Sequence, residues 1–251
     1  MLCRRVLLVL LSVLTRKLMM KFVKKSMHEK TGNALIEELI SNPVKFSKQG
    51  NPYNLLQEYF KGYDTESLRP LLQSANEYIQ SAAIFIVSEL GQKASSLIED
   101  LLPLLKSSNS DIKYDALESV MVCSSVYNLE KFVYILPLMD DKDDVIRIRT
   151  MELVCNANYQ QIQTAIEILS MNIDDTSKMH INGLTLLLNH EHVSREQILI
   201  LLNSHHSIPR KYGAILSRQA FGRFPGLIKT LVADDADIKQ FSEGTIDETN
   251  L

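Results

Sequence analysis

Four histidines form the two motifs in the sequence that have metal-ligand character, His190-x-His192 and the adjacent pair His205-His206. The residues between them, 194–203, have the pattern of a helix of about ten residues, which separates its two ends by roughly 15 Å. Zinc requires its ligands within about 2.0–2.3 Å of one point, so the two motifs lie too far apart to share one ion. We therefore expect polar turn residues at the two ends of a helix, and we predict no metal site.

Other chemistry is also missing from the sequence. It has no glycine-rich phosphate loop, no His-Glu-x-x-His, no Cys-x-x-Cys and no Gly-x-Ser-x-Gly motif. Cys123 and Cys155 fall in apolar stretches, where small buried side chains are expected rather than reactive thiols. Acid–base catalysis would need a carboxylate in an apolar pocket, which nothing in the sequence indicates. We predict no catalytic residues and no cofactor.

The composition favours helices and the charge is unevenly distributed. The chain of 251 residues has 9 Gly and 7 Pro, too few turn-forming residues for a protein of many short strands. Its net charge of −3 combines about +7 in residues 1–30 with −10 in residues 31–251. Such an acidic body should repel nucleic acid and favour basic partners.

An internal repeat organises the acidic body. Pro70, Pro103 and Pro137 are 33 and 34 residues apart, and apolar residues recur at fixed positions around them. Relative to each proline, the recurring columns lie at −2, +1, +2, +9, +13 and +17: Leu68, Leu101 and Ile135; Leu71, Leu104 and Leu138; Leu72, Leu105 and Met139; Ile79, Ile112 and Ile146; Ala83, Ala116 and Thr150; Val87, Val120 and Val154. The spacing within each unit predicts two amphipathic helices joined by a polar turn. One such pair cannot bury its own apolar face, so the units should stack on one another.

These columns resemble HEAT-like repeats of the short bacterial type. Asp144-Val145-Ile146-Arg147 with Thr150 matches the family pattern best, and Asp111-Ile112-Lys113 with Ala116 nearly matches it. Gln80 departs from the pattern, and the fourth and fifth units lack the proline. The resemblance covers roughly residues 66–226. It implies an all-α, right-handed α-solenoid (HEAT/armadillo-like) of about five helix pairs with capping helices, whose second helices line a concave surface.

The repeat also sets the predicted domain boundaries. We expect capping helices in 31–65, HEAT-like repeats in 66–226, a C-terminal half repeat in 227–241 and a disordered acidic tail in 242–251. Residues 1–30 form a separate basic and apolar extension. Three interpretations of it stay open: a dispensable extension with initiation at Met19, Met20 or Met27, a membrane-surface anchor within residues 1–25, or an uncleaved export signal.

Candidate partner-binding residues come from the positions of the second helices that point away from the apolar stripe. Carboxylates spaced three or four residues apart there share a helix face, which is either simply solvated or binds a partner. Large side chains beside acids would suit a contact surface. The candidates are Phe85, Tyr114, Asp115, Glu118, Ile148, Arg149 and Glu152. By contrast, we interpret the acidic turn Asp140–Asp144 as a solubilising turn with carboxylates at a helix N-terminus.

The functional expectation is a non-enzymatic protein-binding scaffold. Residues 51–60 are similar to bacterial HEAT-like immunity proteins, small cytosolic proteins that neutralise a cognate toxin, as in contact-dependent growth inhibition. That resemblance implies a cytoplasmic immunity protein, and we expect a monomer whose partner is a basic toxin domain. One alternative is a general protein–protein adaptor. Another is a HEAT-like enzyme such as a DNA glycosylase or a bilin lyase, although the absence of Trp and the acidic second helices disfavour DNA binding.

Overall fold

The computed structural model describes residues 29–171, 174–224, 227 and 235–248, and within these ranges the regular elements are helices without any strand. The predicted all-α class is confirmed. The expectations for residues 1–28, and for most of 225–234, concern residues outside the described ranges.

The described chain divides into two compact units, one ending at Lys93 and the other beginning at Ala94. This division falls inside the residues 66–226 that the sequence assigns to a single array of repeats. In the first unit, α2, α3 and α4 all pack against α5. Its helices are α1 (residues 29–41), α2 (Pro43–Lys48), α3 (Asn51–Phe60), α4 (Arg69–Leu72, preceded by a 3-10 turn over Thr65–Leu68) and α5 (Glu77–Leu90).

The second unit contains the remaining repeats. A 3-10 segment, Gly91–Leu97, leads into it. Its α-helices are α6 (Ile98–Leu101), α7 (Ser110–Cys123), α8 (Asp144–Cys155), α9 (Tyr159–Leu169), α10 (Asp175–Leu188), α11 (Arg195–Leu202), α12 (Ser207–Gln219) and α13 (Ala236–Glu248). Its 3-10 helices are Leu102–Lys106, Leu129–Asp140 and His190–His192. Helix α8 packs on α7, on the segment Leu129–Asp140, and also on α12 and α13.

The repeat columns form the core. Every residue in the six columns is at most 9% exposed, and the small residues Ala83, Ala116 and Thr150 are all 0% exposed. Each second helix begins at the same point of its unit. Asn76, Asn109 and Asp143 lie six residues after the prolines, and their side chains accept hydrogen bonds from backbone N–H groups of the first turn. These caps satisfy donors that a helix end leaves unpaired.

The first helices of these units are short or tightly wound. Pro103 lies at the start of the 3-10 helix Leu102–Lys106, and Pro137 lies inside the 3-10 helix Leu129–Asp140. Proline has no N–H and its ring clashes with the carbonyl four residues earlier, so it prevents a regular α-helix at these positions. The periodic pattern predicts a helix here but not its type.

Side-chain hydrogen bonds in the second unit connect residues about one repeat apart. The Asn128 Nδ2 donates to the Ser95 carbonyl oxygen at 3.2 Å, and the Asn158 Nδ2 donates to the Ser125 carbonyl oxygen at 2.8 Å. Both bonds span 33 residues. Equivalent loops of successive repeats are therefore in direct contact.

The last helix corrects one predicted boundary. Helix α13 continues to Glu248, so a disordered tail does not begin at residue 242. Ile238 and Phe241 are buried, and the Ser242 Oγ donates to the Ile238 carbonyl oxygen at 2.6 Å. Two large apolar side chains on one face hold this helix against α8 and α12.

Candidate functional site

Five of the seven candidate residues lie together on two neighbouring helices. Tyr114, Asp115 and Glu118 lie on α7, Arg149 and Glu152 lie on α8, and all five are partly exposed. Because α7 packs against α8, their side chains form one surface, which we call the acidic α7–α8 surface. With three carboxylates and one guanidinium, these residues carry a formal charge of −2.

Arg149 lies between two glutamates on the acidic α7–α8 surface. Its Nη2 donates to the Glu118 Oε2 at 3.0 Å and its Nε donates to the Glu118 Oε1, while its Nη1 donates to the Glu152 Oε2. The Arg149 Cζ also lies 6.0 Å from the centroid of the Tyr114 ring. The hydrogen bond to Glu118 raises the pKa of Arg149 further above its usual range, and burial opposes this effect. This bidentate geometry links the two helices.

Asp115 is the acid that Arg149 leaves unneutralised. Its side chain is partly buried, and within the described residues its carboxylate has no hydrogen bond or ion pair. Burial raises the pKa of Asp115, and the negative charges of Asp111 and Glu118 raise it further. A positively charged group of another molecule would stabilise the ionised form of a carboxylate in this position.

The two other candidates, Phe85 and Ile148, lie elsewhere. Phe85 is partly exposed on α5, in the first unit. Ile148 is only 8% exposed, so the expectation that it points away from the core was wrong. The reason is that α8 has neighbours on several sides, which leaves few of its positions for solvent. Tyr114 is therefore the large side chain that accompanies the acidic α7–α8 surface.

The acidic turn before α8 places Asp143 and Asp144 at a helix N-terminus as predicted, but Asp140 and Asp141 also pair with buried cations, so the turn is more than a solubilising one. Lys211 is 2% exposed, its Nζ donates to the Met139 carbonyl oxygen, and it lies 2.9 Å from the Asp140 Oδ1. Burial acts to raise the pKa of Asp140, but hydrogen bonds from Lys211 and Ser207 outweigh burial and lower it. The turn thereby anchors α12.

The same turn also holds α7 and α13. The Lys113 Nζ lies 2.8 Å from the Asp141 Oδ2, and both side chains are nearly buried. The Asp237 carboxylate at the start of α13 accepts from the Arg147 Nε at 2.7 Å and from the Arg147 Nη2 at 2.8 Å. These pairs are structural, because Asp140, Asp141 and Asp237 each hold a cation at a position that packing has partly or largely removed from water.

A buried histidine was missed by the sequence analysis. His180 is 2% exposed, and its Nδ1 lies 3.0 Å from the hydroxyl of the buried Tyr212. Burial lowers the pKa of His180 to about 4, against the opposing charges of Asp140 and Asp174. The His180 Nε2 is buried without a hydrogen-bond partner among the described residues. In the sequence, the glycine at position 183 is the feature that could have indicated this close packing. An added Cβ there would lie 2.2 Å from the Tyr212 Cγ.

The two histidine motifs lie where the sequence predicts them. Helix α11, Arg195–Leu202, separates them, and Ser194 caps its first turn. Among the described residues no group of three or more His, Cys, Asp or Glu could hold a metal ion. Cys123 is buried, and burial raises the pKa of its thiol to about 11. That pKa disfavours the reactive thiolate.

No family model and no curated protein matches the chain. A crystal structure of an engineered protein from the Northeast Structural Genomics Consortium is similar to it, with 16% sequence identity and a TM-score of 0.39, over 74% of this chain and 96% of the engineered one. No helix in the described ranges is long and apolar enough to cross a membrane.

Proposed function

We propose that this protein is a non-enzymatic scaffold that binds a basic protein through the acidic α7–α8 surface. The observation that carries the proposal is Asp115, a partly buried carboxylate whose neighbours on α7 are acids. Arg149 is already held by Glu118 and Glu152 and does not neutralise Asp115. A lysine or arginine of a partner would supply the missing positive charge, with Tyr114 as an adjacent aromatic contact.

The finer architecture that we propose for the repeats is a right-handed α-solenoid. The buried columns and the two asparagine bonds across 33 residues support it, because both follow from repeats that stack on their sequence neighbours. In that arrangement the second helices, which include α7 and α8, would line one continuous surface.

The specific role that we propose is that of an immunity protein. Its basis is the similarity of residues 51–60 to HEAT-like immunity proteins, together with the charge of −10 over residues 31–251. The partner would be a basic toxin domain, held in an inactive complex in the cytoplasm. A general adaptor would also use an acidic surface, but it would not protect a cell from one particular toxin.

The experiment is co-expression with the toxic domain encoded by the neighbouring gene, followed by pull-down and a growth assay. The proposal predicts capture and protection by the natural chain, and loss of both for Asp115→Lys. Glu167→Lys is the matched control, because Glu167 is an exposed acid on α9, away from the acidic α7–α8 surface. Equal protection by both variants would contradict a role for that surface. Absence of binding by the natural chain would contradict the immunity role.

A further inference from the structure

A second surface of the second unit carries exposed apolar and aromatic side chains. Val122 is 39% exposed, Val126 is 56% exposed, and Tyr127 and Tyr159 are each 63% exposed. We call these four residues the neutral surface. They lie at the C-terminal end of α7, in the loop after it, and at the start of α9. Large side chains grouped in this way on a protein surface are typical of interaction sites.

Hydrogen bonds fix the neutral surface in place. The Asn158 Nδ2 donates to the Ser125 carbonyl oxygen at 2.8 Å, which joins the start of α9 to the loop that carries Val126 and Tyr127. The other end of the loop is held by Asn128, which has a φ of 57° and whose Nδ2 donates to the Ser95 carbonyl oxygen. Binding therefore orders little additional backbone, which keeps its entropic cost low.

The sequence around this surface carries no charge. Residues 119–129 and 153–166 contain no Asp, Glu, Lys, Arg or His. At the chain average of 23% charged residues, these 25 positions would include about six charges. The exposed neighbours are instead amides, Asn156, Asn158 and Gln160. Depletion of charge together with exposed tyrosine is the composition that distinguishes the centre of a protein interface.

We propose that the neutral surface pairs with the same surface on a second copy of this chain. In a two-fold symmetric contact each surface meets itself, so any charge on it faces an identical charge. Because residues 31–251 carry −10, pairing through an acidic surface would bring like charges together, whereas pairing through the neutral surface avoids this repulsion. Val122 follows Glu118 by one turn of α7, so the neutral surface begins beside the acidic α7–α8 surface, where Arg149 already pairs with Glu118.

The expected association is weak. A stable interface buries about 800 Å² on each partner, more than four side chains and their amide neighbours provide. We therefore expect a dimer with a Kd on the order of 10–100 μM, so the monomer expected from the sequence is the main species only well below that concentration. Because the contact is apolar, added salt should leave it unchanged or strengthen it, whereas a contact between opposite charges would weaken.

Sedimentation velocity of the full chain, from about 1 to about 500 μM, tests the proposal. The expected result is a shift from monomer to dimer that persists in high salt and is weakened at least about tenfold by Tyr127→Ser combined with Tyr159→Ser. Tyr134→Ser is the control, because Tyr134 is also 50% exposed but lies outside the neutral surface. Tyr127→Lys, which would place like charges across the symmetry axis, should abolish the dimer. A monomer at all concentrations would overturn the proposal, and so would a dimer that the Tyr127 and Tyr159 variants leave unchanged.

Discussion

Asp115, the residue that we propose binds a basic partner, makes the folded protein less stable. Its pKa is raised because burial and two neighbouring acids disfavour its negative charge, so the ionised form at neutral pH makes the folded state less stable. We expect Asp115→Asn to keep the shape and remove the unfavourable charge. The melting temperature of the free protein should rise by on the order of 1 °C, while affinity for a basic partner falls.

Differential scanning calorimetry of the natural chain and Asp115→Asn measures the stability change. Glu118→Gln is the informative comparison, because Glu118 holds Arg149 through two hydrogen bonds. Its replacement should lower the unfolding free energy by about 1 kcal/mol. A lower melting temperature for Asp115→Asn would show that the Asp115 carboxylate has a favourable partner in the folded protein.

His180 predicts a specific sensitivity to acid. Its pKa lies near 4 in the folded protein and near 6.5 when exposed, so the unfolded chain binds the proton more readily. The free energy of unfolding therefore has its full value above about pH 6.5. It falls as the pH drops from 6.5 through 4, by at most about 3 kcal/mol in total. His180→Gln can still hydrogen-bond Tyr212 but does not titrate, so the pH dependence of its urea unfolding should be flatter between pH 6.5 and 4. Parallel curves for the two proteins would contradict this account.

At the scale of the elements, α10 and α12 meet at a contact that admits no extra atom. An added Cβ at Gly183 would lie 2.2–2.6 Å from three atoms of the Tyr212 ring, and Tyr212 is 0% exposed. Gly183→Ala should therefore lower the unfolding free energy by about 2–3 kcal/mol, measured by chemical denaturation. Gly222→Ala is the control, because no atom lies within 4 Å of its added Cβ. Equal stability of the two variants would show that the helices separate easily.

The periodicity of the sequence predicted the helices better than it predicted which helices pack against one another. The buried columns, the second helices and the helix between the histidine motifs follow from local spacing, and each is confirmed. Ile148 was misplaced because local spacing does not show how many elements surround α8, which packs against α12 and α13 as well as against α7. His180 was missed for a similar reason, since its partner Tyr212 is 32 residues away and a histidine does not mark an apolar stripe.

At the scale of the whole molecule, ion pairs attach the last helix to the second unit. Asp237 on α13 accepts two hydrogen bonds from Arg147 and lies 3.4 Å from the Lys211 Nζ. Arg147→Gln should loosen α13 and speed amide exchange over residues 236–248 by about tenfold, measured by hydrogen exchange with mass spectrometry. Lys178→Gln removes an exposed ion pair with Asp175 and should have no such effect. Unchanged exchange in Arg147→Gln would mean that apolar packing alone holds α13.

The sequence predicted only part of the candidate site. The position of a residue on its own helix follows from local spacing, whereas its pairing with another helix does not. Tyr114, Asp115, Glu118, Arg149 and Glu152 were found from their positions on the helices, and the structure groups them. The pairing of Arg149 with Glu118 was not predicted, nor were the ion pairs of Asp140 and Asp141, since residues far apart in the sequence bring these charges together. Charge composition led us to propose a basic partner, but only packing shows that Arg149 pairs with Glu118 and Glu152 and not with Asp115.

The most direct test of the account is the affinity for the neighbouring gene product, measured by calorimetry over a series of salt concentrations. We expect binding by the natural chain to weaken as salt rises, and Asp115→Asn to bind more weakly with a shallower salt dependence. Glu167→Gln should bind like the natural chain. Salt-independent binding, or equal affinity of the natural chain and Asp115→Asn, would contradict the claim that an acidic surface on α7 and α8 recognises a basic protein.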